Sequence, residues 1–213
     1  MSITTKKPPM KETVGAQYIC FVTQTEDGDW QKQFEETVEK TEVVKKVKIS
    51  ENSSSEVTYA SGVVYDSDTT AGNTTIEVEV IAFPADTLAK MRGEKVEEGG
   101  LILSGAGGGR PYFAYGKVVK LKNDKIRMEW YPKCKLTENS DEASTKTEKF
   151  AEQTDTVKIA AYPFDEKGNI KAYVDSSVSG YPAGLTEEKF FAKPILTKDD
   201  LKTAAGVVSE KKR

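Results

Sequence analysis

Glu77 and Glu79 stand two residues apart in the run TTIEVEVIAF, so in an extended strand they share one face. A carboxylate pair is the minimum equipment of an acid–base hydrolase, but on an exposed sheet face the simpler reading is two solvated side chains. The chain contains no histidine. That removes the commonest general base and the commonest metal ligand together, and with them Ser–His, Cys–His and zinc sites in their ordinary forms. The glycine-rich run GAGGGR at 105–110 invites a phosphate, yet Arg110 stands where a dinucleotide fingerprint needs glycine. Gly116-Lys117 is followed by Val118 rather than by the Ser or Thr of a phosphate loop. No catalytic, cofactor-binding or metal-binding residue is therefore assigned, and the chain is expected not to be an enzyme.

The other side chains able to do chemistry read as structure. Trp130 and Tyr131 alternate on one strand, which places one ring in the core and the other exposed or at an interface. Tyr112, Phe113 and Tyr115 are split between two faces, whereas a carbohydrate platform wants several aromatics on one. Cys20 and Cys134 lie within apolar or strand-like runs and are expected to be buried thiols rather than a bridge. Lys45, Lys46 and Lys48 in VVKKVKI suit a charged, protective strand edge better than a nucleic-acid groove. The two glycosylation-like triplets at Asn52 and Asn73 need a secretory route that the start of the chain does not supply.

The elements that would carry these residues are mostly strands. Residues 112–136 alternate on both sides of a polar turn at Asn123 and Asp124, a hairpin signal, and a second hairpin is expected over 157–174. In 74–83, Ile76, Val78 and Val80 face one way and Thr75, Glu77 and Glu79 the other. Pro84 opens a short helix through Leu88 and Met91 that Gly93 ends. Strands are also expected at 15–22, 43–49 and 101–103. Trp30 and Phe34, in the turn-rich 25–34, are expected to reach back to the core. Residues 50–73, dense in Ser, Thr, Asn, Asp and Gly, read as a long loop with apolar islands at Val57, Tyr59, Val63, Val64 and Tyr65. Thr197 and Asp200 form a capping-box pattern for a short helix over 198–208, which reads as an appendage.

Composition bounds the rest. The 213 residues suffice for one domain, and 37% apolar against 31% charged residues imply a modest core under a solvated exterior. A net charge of −3 lacks the basic footprint of a nucleic-acid binder. No apolar run reaches the roughly 18 residues needed to span a bilayer. Pro8, Pro9, Lys11 and Glu12 break any leader-like pattern, so the expected origin is cytosolic.

In order and spacing the chain resembles the major tail proteins of long, non-contractile phage tails. The likeness rests on VGAQYICFV, the VKIS strand with its long loop, TTIEVEVIAFPADTLAKMRGEKVEEGG, and YFAYGKVVKLKNDKIRMEWYPKCKL after a glycine-rich break. A Thr-rich segment before VKIAAYPFDEKGNIKAYV completes it. The resemblance implies a mainly-β fold, an antiparallel β-sandwich or barrel with one short helix, to which the capping-box pattern adds a short C-terminal one. The expected division is a polar arm (1–13), a tube domain (14–184) and an extension (185–213) beyond the resemblance. It further implies hexameric rings of this chain stacked into a tube that passes DNA without binding it. Glu77 and Glu79 would then line the lumen, and 50–73 would reach a neighbouring ring or subunit. Implied partners are further copies, the tape-measure protein, the distal tail protein and the tail terminator, with no membrane. The place would be the virion tail, assembled in the host cytoplasm. The tube of a contractile or bacteriocin-like particle shares these expectations, and a carbohydrate-binding β-sandwich is the reading from another class.

Overall fold

Alternation and turn chemistry build the strands where they are strong. In the computed structural model, which describes residues 3, 5, 7–23, 30–60, 63–105, 109–141, 145 and 153–206, β5 (Phe113–Leu121) and β6 (Lys125–Ser140) flank a turn over 122–124. Asn123 and Asp124 both have positive φ, 63° and 54°. These are the residue types that tolerate the left-handed region in a hairpin turn. The chain is mainly antiparallel β, as expected, with α1 (Ala85–Arg92), α2 (Glu187–Phe191) and α3 (Lys198–Ala204) instead of one or two helices. Several expectations lie wholly or partly outside the described residues: the turn at 24–29, the glycines at 106–108, most of the Thr-rich 142–152, and the tail from 207.

The chain divides into two units. In the first, Met1–Val44 with Tyr112–Pro132 and Lys171–Arg213, β2 (Glu39–Thr41), β1 (Lys11–Phe21), β5 and the start of β6 lie side by side, and β8 (Ala172–Asp175) pairs with β6. One face of these strands carries Ala16, Tyr18, Cys20, Ala114, Val118, Met128 and Trp130. Leu185, Phe190, Phe191, Ile195 and Ala205 complete that core. Phe191 stacks on Tyr18 (ring centroids 3.8 Å apart, 1° between planes) and tilts against Trp130 (5.3 Å). The Trp130 indole N–H donates to the Phe190 carbonyl at 3.1 Å. Phe34, bridged to Val22, reaches this core as expected.

Three expectations are corrected here. The segment from 185 is core rather than appendage, because the sheet face beneath it is apolar and α2 brings two phenylalanines onto it. Trp130 and Tyr131 are both fully buried, so neither ring is outside. β1 starts at Lys11, inside the expected arm, because Lys11 pairs with Leu121. The Thr197–Asp200 capping box forms, with Asp200 Oδ2 accepting from the Thr197 amide at 2.8 Å.

In the second unit, Lys45–Pro111 with Lys133–Ile170, the end of β6, then β7 (Asp155–Ala161), β4 (Val63–Val80) and β3 (Val44–Ala60) lie side by side. Cys134, Leu136, Ile159, Ala161, Ile76, Val78 and Val80 are buried on one face. Met91 and Ala89 of α1 are buried, Leu88 is half-buried, and Gly93 ends the helix at φ 80°. Arg110 donates to the Leu136 and Thr137 carbonyls at 2.8 Å each, holding the bulge between Leu136 and Glu138. The residue that spoils the glycine-rich phosphate reading is thus a clamp on the sheet.

The hairpin expected over 157–174 does not form. β7 pairs with β4 and the end of β6, and β8 with the beginning of β6. Between them Pro163 and an Asp165-centred turn interrupt the chain, the Asp165 carboxylate accepting from the amides of Lys167 and Asn169. Residues 101–103 contribute only an isolated bridge, Val96 to Ile102.

Candidate assembly surfaces

The solvent face of β4, β7 and β6 holds the carboxylates singled out above. Opposite residues of an antiparallel pair share a face. Glu77 therefore stands beside Lys158, and Lys158 beside Glu138; Glu79 stands beside Thr156, and Thr75 beside Ala160. The Lys158 ammonium contacts Glu138 Oε2 at 2.8 Å. Hydrogen bonding and attraction to Glu138, aided by Glu77, raise the Lys158 pKa. Lys135, across from Ala160, adds a second cation to the same face. The expected acidic face is thus of mixed charge, with lysines standing among its carboxylates. The alternation of 157–161 could have placed Lys158 on it, but its partner strand was not legible.

Residues 50–60 and 63–73 are not loop. β3 and β4 run through them as neighbouring strands of 17 and 18 residues, so Val57 and Tyr59 lie on β3 and Val63, Val64 and Tyr65 on β4. Val, Tyr and Thr are strand formers, and pairing across the ribbon satisfies the backbone of the Ser- and Asn-rich stretches between them. Gly72 is needed at the base of the arm, where an added Cβ would sit 2.8 Å from the Asn52 carbonyl oxygen. The last seven residues of β4, 74–80, pair with β7, whereas the eleven before them, 63–73, have β3 as their sole strand partner among the described residues. At ~3.3 Å per residue this two-stranded ribbon is about 36 Å long.

The sheet ends are short or charged. β2, at one edge, has three residues, and its Lys40 contacts Glu42 at 2.8 Å. β3, at the other edge, exposes Lys45, Lys46 and Lys48, as expected of a protected edge. The first unit also buries a polar row. Gln17 pairs with Lys117 across β1 and β5, and Lys117 Nζ lies 3.2 Å from Glu129 Oε2, which also accepts from the Tyr131 hydroxyl at 3.1 Å. Burial pulls the Lys117 pKa down against the opposing pull of Glu129. Cys20 and Cys134 are both buried thiols outside any disulfide. Among the described residues no three Cys, Asp or Glu side chains are grouped to hold a metal, and no helix is long and apolar enough to cross a membrane.

No family model and no curated protein matches the chain. Among solved structures, a chain of "Cryo-EM structure of the anti-feeding prophage (AFP) baseplate, 6-fold symmetrised" aligns over 81% of this chain and 97% of that one, at 7% identity and a TM-score of 0.35. A likeness at that score carries no argument about function.

Proposed function

We propose that this chain is a structural, non-enzymatic subunit of a phage tail tube. It assembles through its own copies into hexameric rings stacked around a DNA channel, in the virion tail. The observation that carries the reading is the β3–β4 ribbon. Two strands without a third, or without a surface beneath them, are marginal in water, so about 36 Å of ribbon needs a neighbour to lie on. A chain meant to stay alone would present an aggregation hazard there. The two sheet edges are the second requirement of a ring, since a continuous sheet through several copies removes them.

Glu77, Glu79 and Glu138 are the groups we assign to the channel, where carboxylates repel phosphate. Lys158 and Lys135 temper that repulsion, which leaves a surface that neither grips DNA nor excludes it. The tape-measure protein, the distal tail protein and the tail terminator are the partners this role requires. The buried Phe113, Tyr115, Trp130 and Tyr131 weigh against the carbohydrate-binding reading, because a sugar platform needs exposed rings.

The test is to replace 53–71 by Asn-Gly, joining the arms where Asn52 meets Gly72, and to compare the variant with the full chain by size-exclusion light scattering and microscopy. The proposal expects large assemblies from the full chain and a folded monomer from the variant. Tubes from the shortened chain would remove the ribbon from the account.

A further inference from the structure

The geometry points to a receptor for that ribbon: a groove between the N-terminal segment and the β5–β6 turn takes the acidic β3–β4 ribbon of a second copy. The inference rests on the tube reading and names the surface that the ribbon covers.

The groove, about 530 Å³, is walled by Lys7, Pro8, Pro9, Met10, Lys122 and Lys125. It is a built feature, because the Lys122 amide donates to the Met10 carbonyl at 2.9 Å and so ties the N-terminal segment to the turn. Part of its lining is apolar, Pro8, Pro9 and a Met10 side chain that is 66% exposed, beside the polar Asn123 and Ser177. Its rim is cationic. Lys7, Lys122 and Lys125 are exposed, and none has a carboxylate partner among the described residues. Elsewhere on the surface, Lys40, Lys158 and Lys202 each have one. Three exposed ammonium groups, without a carboxylate partner among the described residues, beside an apolar lining fit a ligand with an apolar centre and acidic flanks.

Residues 49–73 have that composition. They include Glu51, Glu56, Asp66 and Asp68 with no Lys or Arg, around Val57, Tyr59, Val63, Val64 and Tyr65. Matching a basic groove on one surface to an acidic arm on another makes the contact heterologous. Such contacts propagate into rings or filaments rather than stopping at a pair. Complementary rims of this kind act chiefly on encounter rate and register, so the contact should weaken with salt.

The experiment mixes equal amounts of ¹⁴N- and ¹⁵N-labelled full-length protein under assembling conditions and applies a carbodiimide. This reagent condenses a carboxylate with an amine already in contact, forming an amide with loss of water. Expected are mixed-isotope cross-links from Lys7, Lys122 or Lys125 to acids within 51–68. Lys122→Glu with Lys125→Glu should lower the assembled fraction about tenfold, and Glu56→Lys with Asp66→Lys in the partner copy should restore it. Tubes without these cross-links would overturn the docking and keep the tube. Cross-links in dimers without tubes would keep the docking and overturn the tube. The absence of both, or same-isotope links alone, would overturn the docking whatever the assembly state.

Discussion

Gly116 and Phe191 should be strongly coupled. An added Cβ on Gly116 would lie 2.8 Å from Phe191 Cε1, 3.0 Å from Cδ1 and 3.1 Å from Trp130 Cε3. Phe191 has nowhere to retreat, since Tyr18 stacks on it at 3.8 Å and Phe190 meets it edge-on at 5.0 Å. Gly116→Ala should therefore cost about 1–3 kcal/mol, as overpacking does. In an open strand the same change would gain ~0.5–1 kcal/mol, so even its sign is informative. Phe191 is 2% exposed, and Phe191→Ala should cost about 3–5 kcal/mol. With Phe191 already truncated, the added methyl enters vacated space, and most of the cost of Gly116→Ala should vanish. The coupling is thus about 1–3 kcal/mol, read from urea unfolding of the four proteins by tryptophan fluorescence. Additivity within ~0.5 kcal/mol would refute the docking of α2 on the sheet.

Four further outcomes follow from the ionisable groups. Burial and the hydrogen bond to Glu187 (2.6 Å) raise the Tyr18 pKa above the ordinary value of 10.0. The stabilisation is complete below pH 10 and fades as pH rises above it; Tyr18→Phe should flatten that alkaline loss in a melting-temperature series. Lys117, whose pKa is lowered, has the opposite sign. The unfolded chain binds more protons just below the ordinary lysine value, so stability should rise with pH there in the wild type and not in Lys117→Met. Lys117→Met alone strands the Glu129 carboxylate at a cost of about 3–5 kcal/mol, and adding Glu129→Leu should recover most of it in denaturant titrations. Reversing Glu77 and Glu79 to Lys should slow DNA ejection from reconstituted particles by attracting phosphate, and unchanged kinetics would remove them from the channel.

What was legible in the sequence was local. The alternation of 74–80, the positive-φ turn at Asn123 and Asp124, the Gly93 helix stop and the Thr197–Asp200 box each depend on residues within a few positions, and each forms. What was not legible needed a distant partner. The polar 50–73 reads as loop until β3 and β4 satisfy each other's backbone. β7 and β8 look like one hairpin until β6 takes both along its length. Phe190 and Phe191 look like an appended pair until the sheet face that they cover is known. The same holds for the candidate channel face: Glu77 and Glu79 were visible, but the charge beside them was set by Lys158, 81 residues on.

Electron microscopy of the concentrated full-length protein shows whether the chain assembles into a tube. Hollow tubes or six-fold rings are expected, with the ribbon of each subunit lying on a neighbour. A monodisperse monomer that persists at high concentration, and in the presence of a tail-tip complex able to nucleate tubes, would contradict tube assembly.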